Sequence, residues 1–127
     1  MQGQQLTPPK PLPNGEWVET WGAVAEGREN GDTGVSVGKL SRSEAEREAV
    51  ARCQDWGGSC KPVLAYQNQC VAIVDGPESG HGGGAIARAG SKEKASDIAL
   101  RLCKNKNNGV ECNVSYTACS LPIFRKY

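Results

Sequence analysis

The sequence predicts an α+β domain in which two tandem strand-strand-helix-strand repeats form a twisted antiparallel sheet carrying two helices, stapled by three disulfides. Three observations predict it: a self-similarity with a period of about 50 residues, two helical segments of matching chemistry, and six cysteines placed alike in both halves. The segment Trp21-Gly22-Ala23-Val24-Ala25-Glu26-Gly27 matches Cys70-Val71-Ala72-Ile73-Val74-Asp75-Gly76. Residues 41–53 match residues 91–103, and Cys70 matches Cys119. The repeats therefore run over 21–70 and 70–119.

Taken in order, residues 1–16 contain Pro8, Pro9, Pro11 and Pro13 with no periodic apolar pattern, which reads as an extended leader or spacer. The folded domain is expected over 17–127. Strands are expected near 21–26, 34–40 and 61–66 in the first repeat, and near 70–75, 84–89 and 112–118 in the second. These stretches alternate or are rich in β-branched residues, and their alanines and glycines suit a sheet on which helices pack closely. The first helix should start at Ser41, with Glu44 completing a capping box, and place Ala45, Ala49 and Cys53 on one stripe before Gly57 and Gly58 stop it. The second should start at Ser91 and bury Ala95, Ile98, Ala99, Leu102 and Cys103, with Asn107, Asn108 and Gly109 ending it.

Composition explains why staples are needed. Val, Leu, Ile and Phe together number 22 of 127 residues, too few for a robust core, while the formal charge of +1 argues against disorder driven by self-repulsion. No cysteine pair has zinc-knuckle spacing, and His81 is the sole histidine, so disulfides are the better reading than metal. Cys53 ends a helix and Cys60 opens the next strand; Cys103 and Cys112 hold the same two places in the second repeat. The repeat thus predicts Cys53–Cys60, Cys103–Cys112 and, between the two equivalent positions left, Cys70–Cys119. Persistent disulfides imply an oxidising compartment, periplasmic or extracellular. The opening Met1-Gln2-Gly3-Gln4-Gln5 has neither a basic start nor an apolar run, so Met1 reads as an added start on a mature protein, and no stretch is long enough to span a bilayer. Balanced charge gives no case for nucleic acid or an anionic membrane as partner.

Trp21-Gly22-Ala23-Val24-Ala25, the Ser41-Arg42-Ser43-Glu44-Ala45-Glu46-Arg47-Glu48-Ala49 helix leading to Cys53, Tyr66-Gln67-Asn68-Gln69-Cys70 and the ending Leu121-Pro122-Ile123-Phe124-Arg125-Lys126-Tyr127 together resemble a bacterial family of exported domains. It is the domain-of-unknown-function family numbered 4189, and the resemblance covers about 17–127. It implies a small, exported, cysteine-bearing protein with no catalytic residues to carry over. Some relatives accompany antagonism systems in which an exported immunity protein shields its producer from a cell-envelope toxin.

Several residues invite a chemical role. His81 lies in Ser79-Gly80-His81-Gly82-Gly83-Gly84, where a general base would lack the rigid positioning that catalysis needs, so a solvated turn is the plainer reading. That glycine run has neither the lysine of a phosphate-binding loop nor a helix opening directly after it. Glu44, Glu46, Glu48, Glu93 and Asp97 could supply a glycosidase-type pair, but they fall on or beside the exposed helix faces with Arg47, Arg52 and Arg101 near. Trp21 belongs to a repeated strand and should pack in the core, whereas Trp17 and Trp56 lie in the leader junction and a helix-end loop, where packing and partner binding are both open. Phe124 and Tyr127 sit in a tail that either docks as an edge strand or serves as a binding arm. No cofactor or metal is called for. The expected function is a non-catalytic exported binding protein, an immunity protein that neutralises a cognate effector toxin, with Trp17, Trp56, His81, Phe124 and Tyr127 as the candidate partner-binding residues. The alternative is a structural or surface module that binds envelope or host components, with a hydrolase a distant third.

Overall fold

The computed structural model describes residues 14–27, 32–55, 57–77 and 83–127. It is α+β, with eight strands and two helices among those residues: β1 (Gly15–Val18), β2 (Trp21–Gly27), β3 (Thr33–Lys39), α1 (Arg42–Gln54), β4 (Cys60–Gln67), β5 (Gln69–Asp75), β6 (Ala85–Ala89), α2 (Lys92–Lys106), β7 (Asn113–Ser120) and β8 (Ile123–Lys126). The strands divide into a sheet of order β3-β2-β4, a second of order β6-β5-β7, and a two-stranded ribbon of β1 and β8. The chain separates into two compact units, one built on Gln69–Cys119 and the other on the described residues up to Asn68 together with Ser120–Tyr127.

In the unit that includes Asn68 and Ser120–Tyr127, β2 is the central strand of a sheet and pairs antiparallel with both β3 and β4. Ala23 and Ala25 point to one side of it and meet Ala45, Ala49 and Cys53 of α1, with Trp21, Val50 and Cys60 packed round this cluster. A core of methyl groups lets a helix sit very close to its sheet, and Gly34 shows how close. A Cβ there would overlap the carbonyl oxygen of Ala49 and the amide of Cys53. Ser36 lies two residues along β3 and donates its hydroxyl to the Ala45 carbonyl at 2.6 Å, so the hydroxyl buried beneath the helix is satisfied. Each buried methyl contributes only about 0.8 kcal/mol, which leaves the disulfide a large share of the work.

The Gln69–Cys119 unit has the same order of elements. Its core joins Ala72 and Val74 of β5, Ala87 and Ala89 of β6, and Ala95, Ala99 and Cys103 of α2, with Cys112 closing one end and Ala85, Ile98 and Leu100 at the margin. Leu102, expected on the buried face, is 41% exposed instead. The helix rests on the stripe Ala95, Ala99, Cys103, and so narrow a contact leaves the flank that carries Leu102 facing outward.

Helix ends follow the sequence. Ser41 accepts a hydrogen bond from the Glu44 amide at 3.1 Å and also approaches the Glu44 carboxylate at 3.4 Å; Ser91 accepts from the Lys94 amide at 3.1 Å. Gly57, with φ +96°, follows α1 and donates to the Gln54 carbonyl, while Asn108 and Gly109, both at positive φ, turn the chain after α2. The disulfides are Cys53–Cys60, Cys70–Cys119 and Cys103–Cys112, with no free cysteine. No helix is long and apolar enough to cross a membrane among the described residues.

Candidate functional site

Strand β1 was not anticipated, since Gly15 and Glu16 fall in the stretch expected to be leader. Its partner is the tail: Gly15 faces Lys126, Glu16 faces Arg125, Trp17 faces Phe124 and Val18 faces Ile123, antiparallel. The Tyr127 amide donates to the Asn14 carbonyl at 3.1 Å, so 14/127, 16/125 and 18/123 are the hydrogen-bonded pairs and 15/126 and 17/124 the non-bonded ones, whose side chains approach most closely. At the far end the ladder continues through a side chain, the Thr20 hydroxyl donating to the Leu121 carbonyl at 2.9 Å. Ser120, one residue earlier, accepts from the Gly38 amide at 3.1 Å and ties the ribbon to the end of β3.

Alternation along a strand gives the ribbon two unlike faces. One carries Trp17 and Phe124, edge to face with centroids 5.3 Å apart, and the Phe124 ring covers Gly15 so tightly that a Cβ there would overlap it. Phe124 and Trp17 are both half-buried, so much of their surface is spent on each other. The tail has therefore docked as a strand. The other face carries Ile123, Arg125 and Tyr127 from β8 opposite Val18, Glu16 and Asn14. Ile123 is 52% exposed and Tyr127 82%, and between them Arg125 pairs with Glu16 at 3.3 Å. Leu40 and Leu121, beside the Gly38–Ser120 bond, are also exposed. An exposed Tyr and Ile around a salt-bridged Arg is the composition of a protein-binding surface.

Of the sequence candidates, Trp17, Phe124 and Tyr127 come together in this ribbon, the first two on its packed face and the third on its open one. Trp56 and His81 lie outside the described residues. Trp21 packs against the α1 core, as its repeated position implied. Ile123 and Val18 were missed, although the alternation of Ile123, Arg125 and Tyr127 marks one strand face.

Two of the carboxylates weighed for catalysis, Glu46 and Glu48, sit on α1 in ion pairs. Glu46 pairs with Arg42 at 3.2 Å, and Glu48 lies between Lys39 and Arg52. The hydrogen bond from Lys39, helped by the charges of Arg52 and Lys39 against a smaller cost of desolvation, holds Glu48 below the usual carboxylate range. An open depression of about 380 Å³ beside them is lined by Lys39, Glu44, Arg47, Glu48 and Ala51. No cluster of three His, Cys, Asp or Glu side chains that could hold a metal occurs among the described residues.

Against known proteins, a family model described as Domain of unknown function (DUF4189) matches residues 21–119, a span that holds all three disulfides and stops short of β1 and β8. No curated protein and no solved structure matches the chain.

Proposed function

We propose that this chain, which belongs to the DUF4189 family, is a non-catalytic exported binding protein: an immunity protein that binds a cognate antagonism toxin, a secretion-system effector, in the cell envelope and covers its active site. One observation carries the reading. The ribbon presents Ile123 and Tyr127 to solvent on strands fixed by an aromatic pair, and a rigid display of an exposed aromatic beside an apolar side chain and a paired arginine is what a binding hot spot requires. The three disulfides suit an oxidising compartment, and periplasmic or secreted placement follows from the proposal, since the toxin acts there.

The test is to export the product of the adjacent open reading frame to the periplasm with wild-type protein, Tyr127→Ala or His81→Ala, and to score survival beside co-purification. Survival with a stoichiometric complex, lost with Tyr127→Ala and kept with His81→Ala, is expected. Survival without any complex, or loss of survival in His81→Ala with the complex retained, would overturn the occlusion reading.

A further inference from the structure

We infer that the outer edge of β8 is a docking site for an extended acidic segment of the partner, which adds to the β1–β8 ribbon as a third strand; this rests on the binding role proposed above. Because 16/125 and 18/123 are the hydrogen-bonded pairs, the backbone N–H and C=O groups of Phe124 and Lys126 point away from β1. They have no partner among the described residues, and β8 pairs with no other strand there. An edge of this kind is a template for one more strand.

Two other described edges, those of β4 and β3, are less suited. On β4, Pro62 removes a donor in mid-strand. β3 is interrupted by a register shift against β2 between Trp21 and Ala23. On β8 the side chains choose the occupant. Arg125 and Lys126, both exposed, place one cation on each face of the edge, and Lys126 has no ion pair among the described residues. A second copy of this chain would set these like charges against one another, so self-pairing is disfavoured. An extended segment with two adjacent acidic residues would meet both cations, and flanking apolar residues would lie against Ile123 and Tyr127.

The probe is a capped peptide of alternating valine and threonine with two adjacent glutamates at its centre, and the control replaces the glutamates with lysines. Titrated to millimolar concentration against the oxidised protein, the glutamate peptide should shift and protect the amides of Phe124 and Lys126 and leave those of α1 and α2 unmoved. Two exposed ion pairs should make the lysine peptide about tenfold weaker. Lys126→Glu, which leaves the β1–β8 bonds intact, should shift that preference toward the lysine peptide. Shifts located elsewhere, equal binding of both peptides, or no response at Phe124 and Lys126 would overturn strand addition. A silent titration beside survival that depends on Tyr127 would retire this mode alone, whereas failure of the survival test with a responsive edge would retire the immunity role and keep the docking site.

Discussion

Trp17 and Phe124 meet edge to face across the β1–β8 ladder, their centroids 5.3 Å apart, and so join strands separated by more than a hundred residues of chain. The contact falls at a non-hydrogen-bonded pair, where opposed side chains come nearest, and Gly15 beside it leaves room for the ring. The open face that carries Ile123 and Tyr127 depends on this packed one.

Removing either ring should therefore loosen the ribbon. Urea unfolding of Phe124→Ala is expected to show a loss of about 2 kcal/mol, and a double-mutant cycle with Trp17→Ala a coupling of roughly 1 kcal/mol. Additive losses would mean that the rings do not support each other.

Gly34 lies directly beneath α1, facing the Ala49 carbonyl and the Cys53 amide. Gly34→Ala should cost about 3 kcal/mol, at the upper end of overpacking, because backbone rather than a flexible side chain must yield. Gly38 has φ +69° and open space around its Cβ position, so Gly38→Ala should cost only about 1 kcal/mol. Thermal melts of the two variants compare them directly.

Loop length should rank the disulfides. Cys70–Cys119 spans 49 residues and Cys53–Cys60 spans 7. Chain entropy then assigns about 4 kcal/mol to the long bridge and about 2.5 kcal/mol to the short one. The pair Cys70→Ser with Cys119→Ser should lower the melting temperature more than Cys53→Ser with Cys60→Ser, and the reverse order would point to native-state effects.

The Lys39–Glu48–Arg52 cluster predicts a pH dependence. Glu48 titrates below its ordinary value of 4.5 in the folded chain, so its stabilising contribution is present above that value and is lost as pH falls through the lower folded one. Glu48→Gln should flatten the acid limb of a stability-pH profile below about pH 4.5 and lower stability slightly at pH 7, the cluster being partly solvated.

Much of the fold was legible because the chain repeats itself. Ser41 and Ser91 marked both helix starts, and the equivalence of Cys70 with Cys119 left one pairing that respected the repeat. Leu102 was misplaced because helical periodicity marks a wide apolar face, whereas a helix resting on alanines uses a narrow one. The ribbon was half legible: the tail, with its aromatics past the last cysteine, was open to docking as an edge strand, but Gly15 and Glu16 have low strand propensity and follow four prolines. Only the Phe124 ring above Gly15 makes that glycine favourable there, and such a contact between distant parts of the chain leaves no local signal. Trp56 and His81 drew notice by residue type alone; Ile123, a plain aliphatic, did not.

The central claim, that this chain works by binding through the open face of its terminal ribbon, is tested most directly by calorimetric titration of the purified adjacent gene product into wild-type, Ile123→Asp and Tyr127→Ala proteins. A one-to-one complex that either substitution weakens by about 2 kcal/mol or more, with the melting temperature of the free variants unchanged, is the predicted result. Wild-type affinity in both variants would contradict it.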